Sequence, residues 1–179
     1  MRRRIRLEPF GESHVDAVSE LAFDDDVLRF TRVPDPPPPD FGRQWLTVYE
    51  EGRRQGTFEG FAIVDADDGT FLGLAVALRI DRDARTAELG YVVAPHARGA
   101  GVAREALYRL TEWAFTELDL LRIELLIATE NEPSKRVAER CGYIREGVLR
   151  SLHLKQGRRQ DTEMWSRLVD DPPPSGRLL

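Results

Sequence analysis

Apolar residues change their spacing several times along this chain, and each change predicts an element. Residues 4–10 alternate polar and apolar positions through Pro9, the pattern of a half-buried strand. Val15, Val18, Leu21 and Ala22 then fall on one helical face, with Ser13 placed to cap that helix. Pro34-Asp35-Pro36-Pro37-Pro38-Pro39 can be neither helix nor central strand, and predicts a stiff, extended surface segment. A second helix is predicted over residues 44–54, where Trp45, Leu46, Val48 and Tyr49 make a partly apolar face. Strands at residues 58–64 and 71–80 flank Asp67-Asp68-Gly69, a strong hairpin signal. Another turn at residues 82–85 leads to a strand at 87–94 that stops at Pro95.

From residue 99 the period becomes helical. Ala103, Ala106, Leu107, Leu110, Trp113, Ala114 and Leu118 form one stripe over residues 99–118. A strand at 122–128, a short helix at 132–140 and strands at 143–154 and 162–169 follow, and residues 171–179 make a loose tail. The strand–helix–strand unit at 87–128 needs a parallel, right-handed crossover, while the hairpins on either side need antiparallel pairing. The predicted fold class is therefore mixed α/β (α+β). It is one mixed, mostly antiparallel sheet with a central parallel β-α-β crossover and helices on both faces. A single domain is expected over residues 1–170.

Composition removes several classes of function. A net charge of −5 excludes a general nucleic-acid binder, which needs a basic face to neutralise phosphates. The single cysteine, Cys141, excludes an internal disulfide and a cysteine-rich zinc site. His14, His96 and His153 have no metal-site spacing, so no metal is expected. No stretch approaches the roughly 20 apolar residues that cross a bilayer. The basic start is not followed by a signal-like apolar run, so no membrane partner and a cytoplasmic location are expected.

The stretch from residue 90 to 103 carries the most chemistry. A strand ends at Pro95, and Gly99 and Gly101 then open a long helix. The first turn of a helix has N–H groups without internal partners and a partial positive charge, and glycine lets an oxyanion come close. Arg98 adds a formal charge. A phosphate-bearing ligand suits this turn, although a tight turn needing positive φ explains the glycines as well. The dinucleotide fingerprint needs a third glycine where Arg104 stands, and the Gly-Lys-Ser/Thr of a P-loop is missing.

Pro95-His96-Ala97-Arg98-Gly99-Ala100-Gly101-Val102-Ala103 resembles the acetyl-CoA signature of the GNAT superfamily. Residues 87–93 resemble the strand before that signature. Asn131-Glu132-Pro133-Ser134, continuing to Tyr143 and Glu146-Gly147, is similar to the Asn-x-x-Ser helix of the ribosomal-protein N-acetyltransferase branch. The resemblance covers residues 87–150 well and the first eighty only in their order of elements. It implies that the strands at 87–94 and 122–128 splay apart. A pantetheine arm would then lie along the backbone of Tyr91, Val92 and Val93. The pyrophosphate would sit on Arg98, Gly99, Ala100, Gly101, Val102 and Ala103, with the thioester towards Glu88, Asn131 and Ser134.

Amine acylation needs positioning, a route for one proton to leave and stabilisation of the oxyanion. The resemblance places the Ser134 hydroxyl near the cofactor sulfur, as proton donor to the leaving thiolate; its bland alternative is a first-turn residue satisfying backbone. Asn131 can orient the cofactor or a water, and is equally a good cap for the helix containing Pro133. Glu88 and His153 compete as base, against the plainer reading of Glu88 as a solvent-facing strand carboxylate. His153 stands where some relatives carry an acidic residue. Cys141 reads as a buried structural cysteine, and Asp24-Asp25-Asp26 as a solvated helix end in preference to an attractor for a cationic acceptor.

The expected function is amine N-acetylation by acetyl-CoA through direct attack in a ternary complex. The acceptor would be a protein N-terminal α-amine or a small amine, and the enzyme a monomer or homodimer. A non-catalytic acyl-CoA sensor, or an interaction module without ligand, are the alternatives.

Overall fold

The single parallel pairing of the sheet is its joint. The structure, a computed structural model, describes residues 3–155 and 157–174. Among these, seven strands form one sheet in the order β1-β2-β3-β4-β5-β7-β6. Strands β1 (Ile5–Pro9), β2 (Glu59–Asp65), β3 (Phe71–Asp81) and β4 (Thr86–Val93) run antiparallel as successive neighbours. Strand β5 (Arg122–Ala128) lies parallel to β4. Beyond it, β7 (Arg158–Leu168) and β6 (Ile144–Lys155) restore antiparallel pairing. The predicted fold class is the observed one.

Each face of the sheet carries its own core. Helices α1 (Val15–Leu21), α2 (Asp25–Phe30) and α3 (Phe41–Gln55) cover one face, where Val18, Leu21, Val27 and Leu46 pack on Leu74 and Val76 of β3. Helix α4 (Val102–Thr116) and α5 (Glu132–Arg140) cover the other, with Ala106, Leu107, Leu110 and Ala114 wholly buried. The predicted stripe is that buried line, and each such Leu contributes about 1.5–3 kcal/mol by leaving water. Thr111 also lies inside, which a stripe of apolar residues does not foresee. Its hydroxyl donates to the Leu107 carbonyl (2.8 Å) and meets the Tyr143 hydroxyl (2.6 Å), tying α4 to the chain after α5.

Three expectations shift. Ser13 does not cap α1, because a short 3-10 turn over Glu12–His14 precedes the helix and no side chain caps it. Helix α2 was not foreseen, being only six residues long with one buried position, Val27. Helix α4 begins at Val102 rather than 99, because Gly99 (φ 75°) and Gly101 (φ 82°) are left-handed and cannot join it. Of the expected tail, residues 175–179 lie outside the described residues. Among the described residues no helix is long and apolar enough to cross a membrane.

Helix α3 meets α1 through Gly42. The Ser19 hydroxyl donates to the Val15 carbonyl (3.0 Å) and accepts from the Gly42 amide (3.1 Å). A Cβ on Gly42 would lie 2.2 Å from that carbonyl oxygen, which is backbone and cannot yield cheaply. Gly42→Ala is therefore expected to lower the unfolding free energy in urea by about 1–3 kcal/mol. Gly147→Ala, where nothing lies within 4 Å of a new Cβ, should change it by no more than about 1 kcal/mol. Equal effects at the two positions would contradict the packing described.

Candidate active site

Strands β4 and β5 pair only at Thr86, Ala87 and Glu88, against Arg122, Ile123 and Glu124. Past that point β4 stays on β3 as far as Val93, and β5 stays on β7 as far as Ala128. Their facing edges therefore separate into a gap with its vertex at Glu88. The Ala94 amide donates to the Leu72 carbonyl (2.8 Å), so strand alternation turns the backbone of Tyr91 and Val93 into the gap and that of Val92 towards β3. Of the three residues expected to lie along a ligand, two present backbone groups to it. The Val92 side chain packs instead on the α1–α3 core.

The open end of the gap leads to α4. Its first described helical bond runs from the Glu105 amide to the Gly101 carbonyl (3.1 Å), and no side chain caps the helix. The amides of Val102 and Ala103 thus precede the helical ladder and are available to an anion. A Cβ on Gly99 would meet nothing within 4 Å, so the turn is open on that side, while Ala100 packs inward on the core.

Arg98 behaves differently from the expectation of a positive charge held for a phosphate. Its Nε donates to the Val93 carbonyl (3.1 Å), and its other nitrogens bind Asp26 (2.9 Å) and Asp24. Asp24 also accepts from the Val27 amide (3.1 Å) and so caps α2. The aspartate run is a helix start, and it fastens α2 to the end of β4 through Arg98.

On the α4–α5 side of β4, two hydroxyls meet. The Asn131 side chain caps α5 by accepting from the Ser134 amide (3.2 Å), which fixes the first turn of that helix. The Ser134 hydroxyl lies 2.9 Å from the Tyr91 hydroxyl. Burial pushes the Tyr91 phenol well above its ordinary pKa, so it stays protonated throughout the physiological range. The sequence pointed to Ser134 but gave Tyr91 only a backbone role. Cys141 is fully buried, and that burial pushes its thiol up to about 11. Such a thiol is not a nucleophile at neutral pH.

On the opposite face, at the vertex, four side chains converge. Glu88 is only 6% exposed, not the solvent-facing carboxylate of the plainer reading. One of its oxygens accepts from Arg32 (2.7 Å) and the other from Arg79. Arg32 also directs its Nε at His153 Nε2 (3.4 Å), and His153 Nδ1 lies 2.9 Å from the Thr162 hydroxyl. With Nε2 facing a donor, the hydrogen of the neutral ring belongs on Nδ1. Burial first, and then the charges of Arg32 and Arg79, hold the His153 pKa below its ordinary value. The ring is neutral at pH 7, with Nε2 as its basic atom.

Arg32 and Arg79 were missed because nothing local announces them. Arg79 reaches Glu88 through a bulge in β3, where its own φ is 49°. His153 follows a bulge in β6 in which Ser151 has φ 55° and its amide is tied to Asp161 (2.8 Å). Left-handed backbone at an arginine or a serine has no sequence signature.

The model of the acetyltransferase (GNAT) domain matches residues 4–144. A putative ribosomal N-acetyltransferase of Bacillus subtilis, YdaF, is 32% identical over 68% of this chain and 67% of its own. A spermidine N-acetyltransferase of Vibrio cholerae, solved with CoA and spermine, superposes with a TM-score of 0.81 at 24% identity, over 93% of this chain and 96% of that one. The ribosomal L7/L12 α-N-protein acetyltransferase RimL, solved with CoA, gives 0.85 at 20% identity over 93% and 94%. At these identities the two structures show the fold.

The thiol makes a direct check of this geometry. Native protein at pH 7.5 is expected to react negligibly with a chromogenic disulfide reagent over minutes, and to react fully once unfolded in guanidinium. Rapid labelling of the folded protein would contradict the burial of Cys141.

Proposed function

The chain belongs to the acetyltransferase (GNAT) domain family, and on that premise we propose that it transfers the acetyl group of acetyl-CoA to a primary amine by direct attack in a ternary complex. The observation that carries this reading is the gap opening at Glu88, with backbone groups of Tyr91 and Val93 on its edge and the uncapped start of α4 at its open end. The residues fit the group. Tyr91 and Val93 would hold the pantetheine amides, and the amides from Gly99 to Ala103 the pyrophosphate. Asn131 and Ser134 stand on the α5 side.

When bound, the thioester supplies an acyl carbon open to attack and a thiolate leaving group. The chain's own residues handle the protons. His153 Nε2 accepts the proton lost by the amine, and the Ser134–Tyr91 hydroxyl pair donates to the departing sulfur. His153 is preferred to Glu88 as base because both Glu88 oxygens already accept from guanidiniums, while His153 Nε2 has only a long contact to displace. Glu88 then acts by positioning Arg32. Named relatives act on spermidine and on ribosomal proteins, so membership supports amine acetylation without selecting the acceptor.

The test is thiol release from acetyl-CoA across a pH series. Because the neutral imidazole accepts the proton, kcat/KM should rise as pH rises through the His153 pKa, and that limb should lie below 6.5. His153→Ala should remove the limb and cost about 10²–10⁴-fold. Ser134→Ala should lower kcat and leave the limb in place. A limb that persists in His153→Ala would move the base elsewhere.

A further inference from the structure

Two arginines on one carboxylate leave a surplus of positive charge at the vertex of the gap, and both remain accessible. The Arg32 and Arg79 side chains are 48% and 57% exposed, while the Glu88 side chain beneath them is 7% exposed. A guanidinium offers five N–H donors. Arg32 directs two at Glu88 and His153, and Arg79 directs one at Glu88. Arg32 Nη1, and Arg79 Nε and Nη1, have no partner among the described residues. Lys155 stands nearby, its ammonium on the carbonyls of Thr31 and Val33, with Asp35 acting on its charge.

The backbone puts this charge here at a cost. In a regular β3, Arg79 would point to the face opposite Leu78, the residue paired with Glu88. The bulge and the left-handed φ of 49° bring its side chain to the Glu88 face. A non-glycine residue held there is strained, and such strain recurs at functional sites. A salt bridge to Glu88 does not require a second arginine, since Arg32 already supplies one.

We propose that Arg32 and Arg79 form an anion-recognition fork, and that the acceptor carries a carboxylate or phosphate a few bonds from the amine that is acetylated. This rests on the acetyltransferase reading above. Glu88 sets the fork by holding both guanidiniums, and their outward N–H groups face the acceptor. A planar fork suits either oxyanion in bidentate fashion. A polyamine would bring its second ammonium against the same two charges and be disfavoured. In its acceptor this chain would then differ from the spermidine acetyltransferase whose fold it shares.

The experiment measures acetyl-CoA thiol release with matched acceptors. The pairs are β-alanine and its methyl ester, O-phosphoethanolamine and ethanolamine, and a tetrapeptide amide with two glutamates after an N-terminal alanine against its twin with two lysines. Spermidine is measured alongside. The anionic member is expected to exceed its partner in kcat/KM by about tenfold or more, with spermidine among the poorest. The carboxylate and phosphate pairs show which oxyanion is meant, and the peptides whether it lies on a chain. Arg79→Gln should cut the preference to within about threefold, mainly through KM of the anionic member, and Arg79→Lys, which keeps the charge without the fork, should retain part of it. Should Arg79→Gln fail to fold, the Lys variant and Arg32→Gln carry the same comparison. Thiol release that favours spermidine or the uncharged partners overturns the fork and leaves acetylation standing. Absence of thiol release with every amine overturns acetylation, and the fork with it.

Discussion

The site depends on one short parallel pairing. A strand edge carries N–H and C=O groups that must find partners. Strand β4 finds them on β3 along its length, but on β5 only as far as Glu88. The crossover through α4 brings β5 back into register at the start of β4, and β7 then holds β5 on its own course to Ala128. What remains is a slot with polar backbone along one wall, open at the end where α4 offers its first amides. Arg98 donates to the gap-facing Val93 carbonyl at the open end, and Asp24 and Asp26 hold Arg98 there. The slot is thus braced by the helix that closes the opposite face.

Chemistry is divided between the two faces of β4. Alternation sends Tyr91 to the α4–α5 core, where α5 brings Ser134 to it, and sends Glu88 the other way. On the function proposed above, a proton donor for sulfur and an acceptor for nitrogen would approach one gap from opposite faces of β4. Two bulges supply the rest. The Arg79 bulge aims a guanidinium at Glu88, and the bulge at Ser151 lets His153 meet Thr162 near the end of β5. Both make a regular sheet carry an irregular cluster.

Much of the frame was legible in the sequence. The stripe from Ala106 to Ala114, the Asp67-Asp68-Gly69 hairpin and the parallel crossover follow from periodicity and from glycine, and the GNAT resemblance in residues 95–103 and 131–134 agrees with the matched family. What escaped reading was set by distant contacts. Helix α2 is too short for a period to show, and the cap at Asp24 matters because Arg98 lies 74 positions away. Glu88 could be read as a base or as an exposed carboxylate, and its burial under two guanidiniums did not show, because Arg32 is 56 positions distant and Arg79 arrives through a backbone turn that no composition predicts. The ion pairs of Arg98 did not show because its acidic partners stand at another helix.

On the function proposed above, the edge of β4 beyond Glu88 is the seat of the acyl carrier. Amide hydrogen exchange with and without CoA, read residue by residue by NMR, tests it most directly. The Tyr91 and Val93 amides, which face the gap, should exchange quickly in the free protein and be protected when CoA is bound. The amides of Val92 and Ala94, already paired to β3, should change little. Saturation with CoA, verified by calorimetry, that left the Tyr91 and Val93 amides exchanging as before would contradict the account.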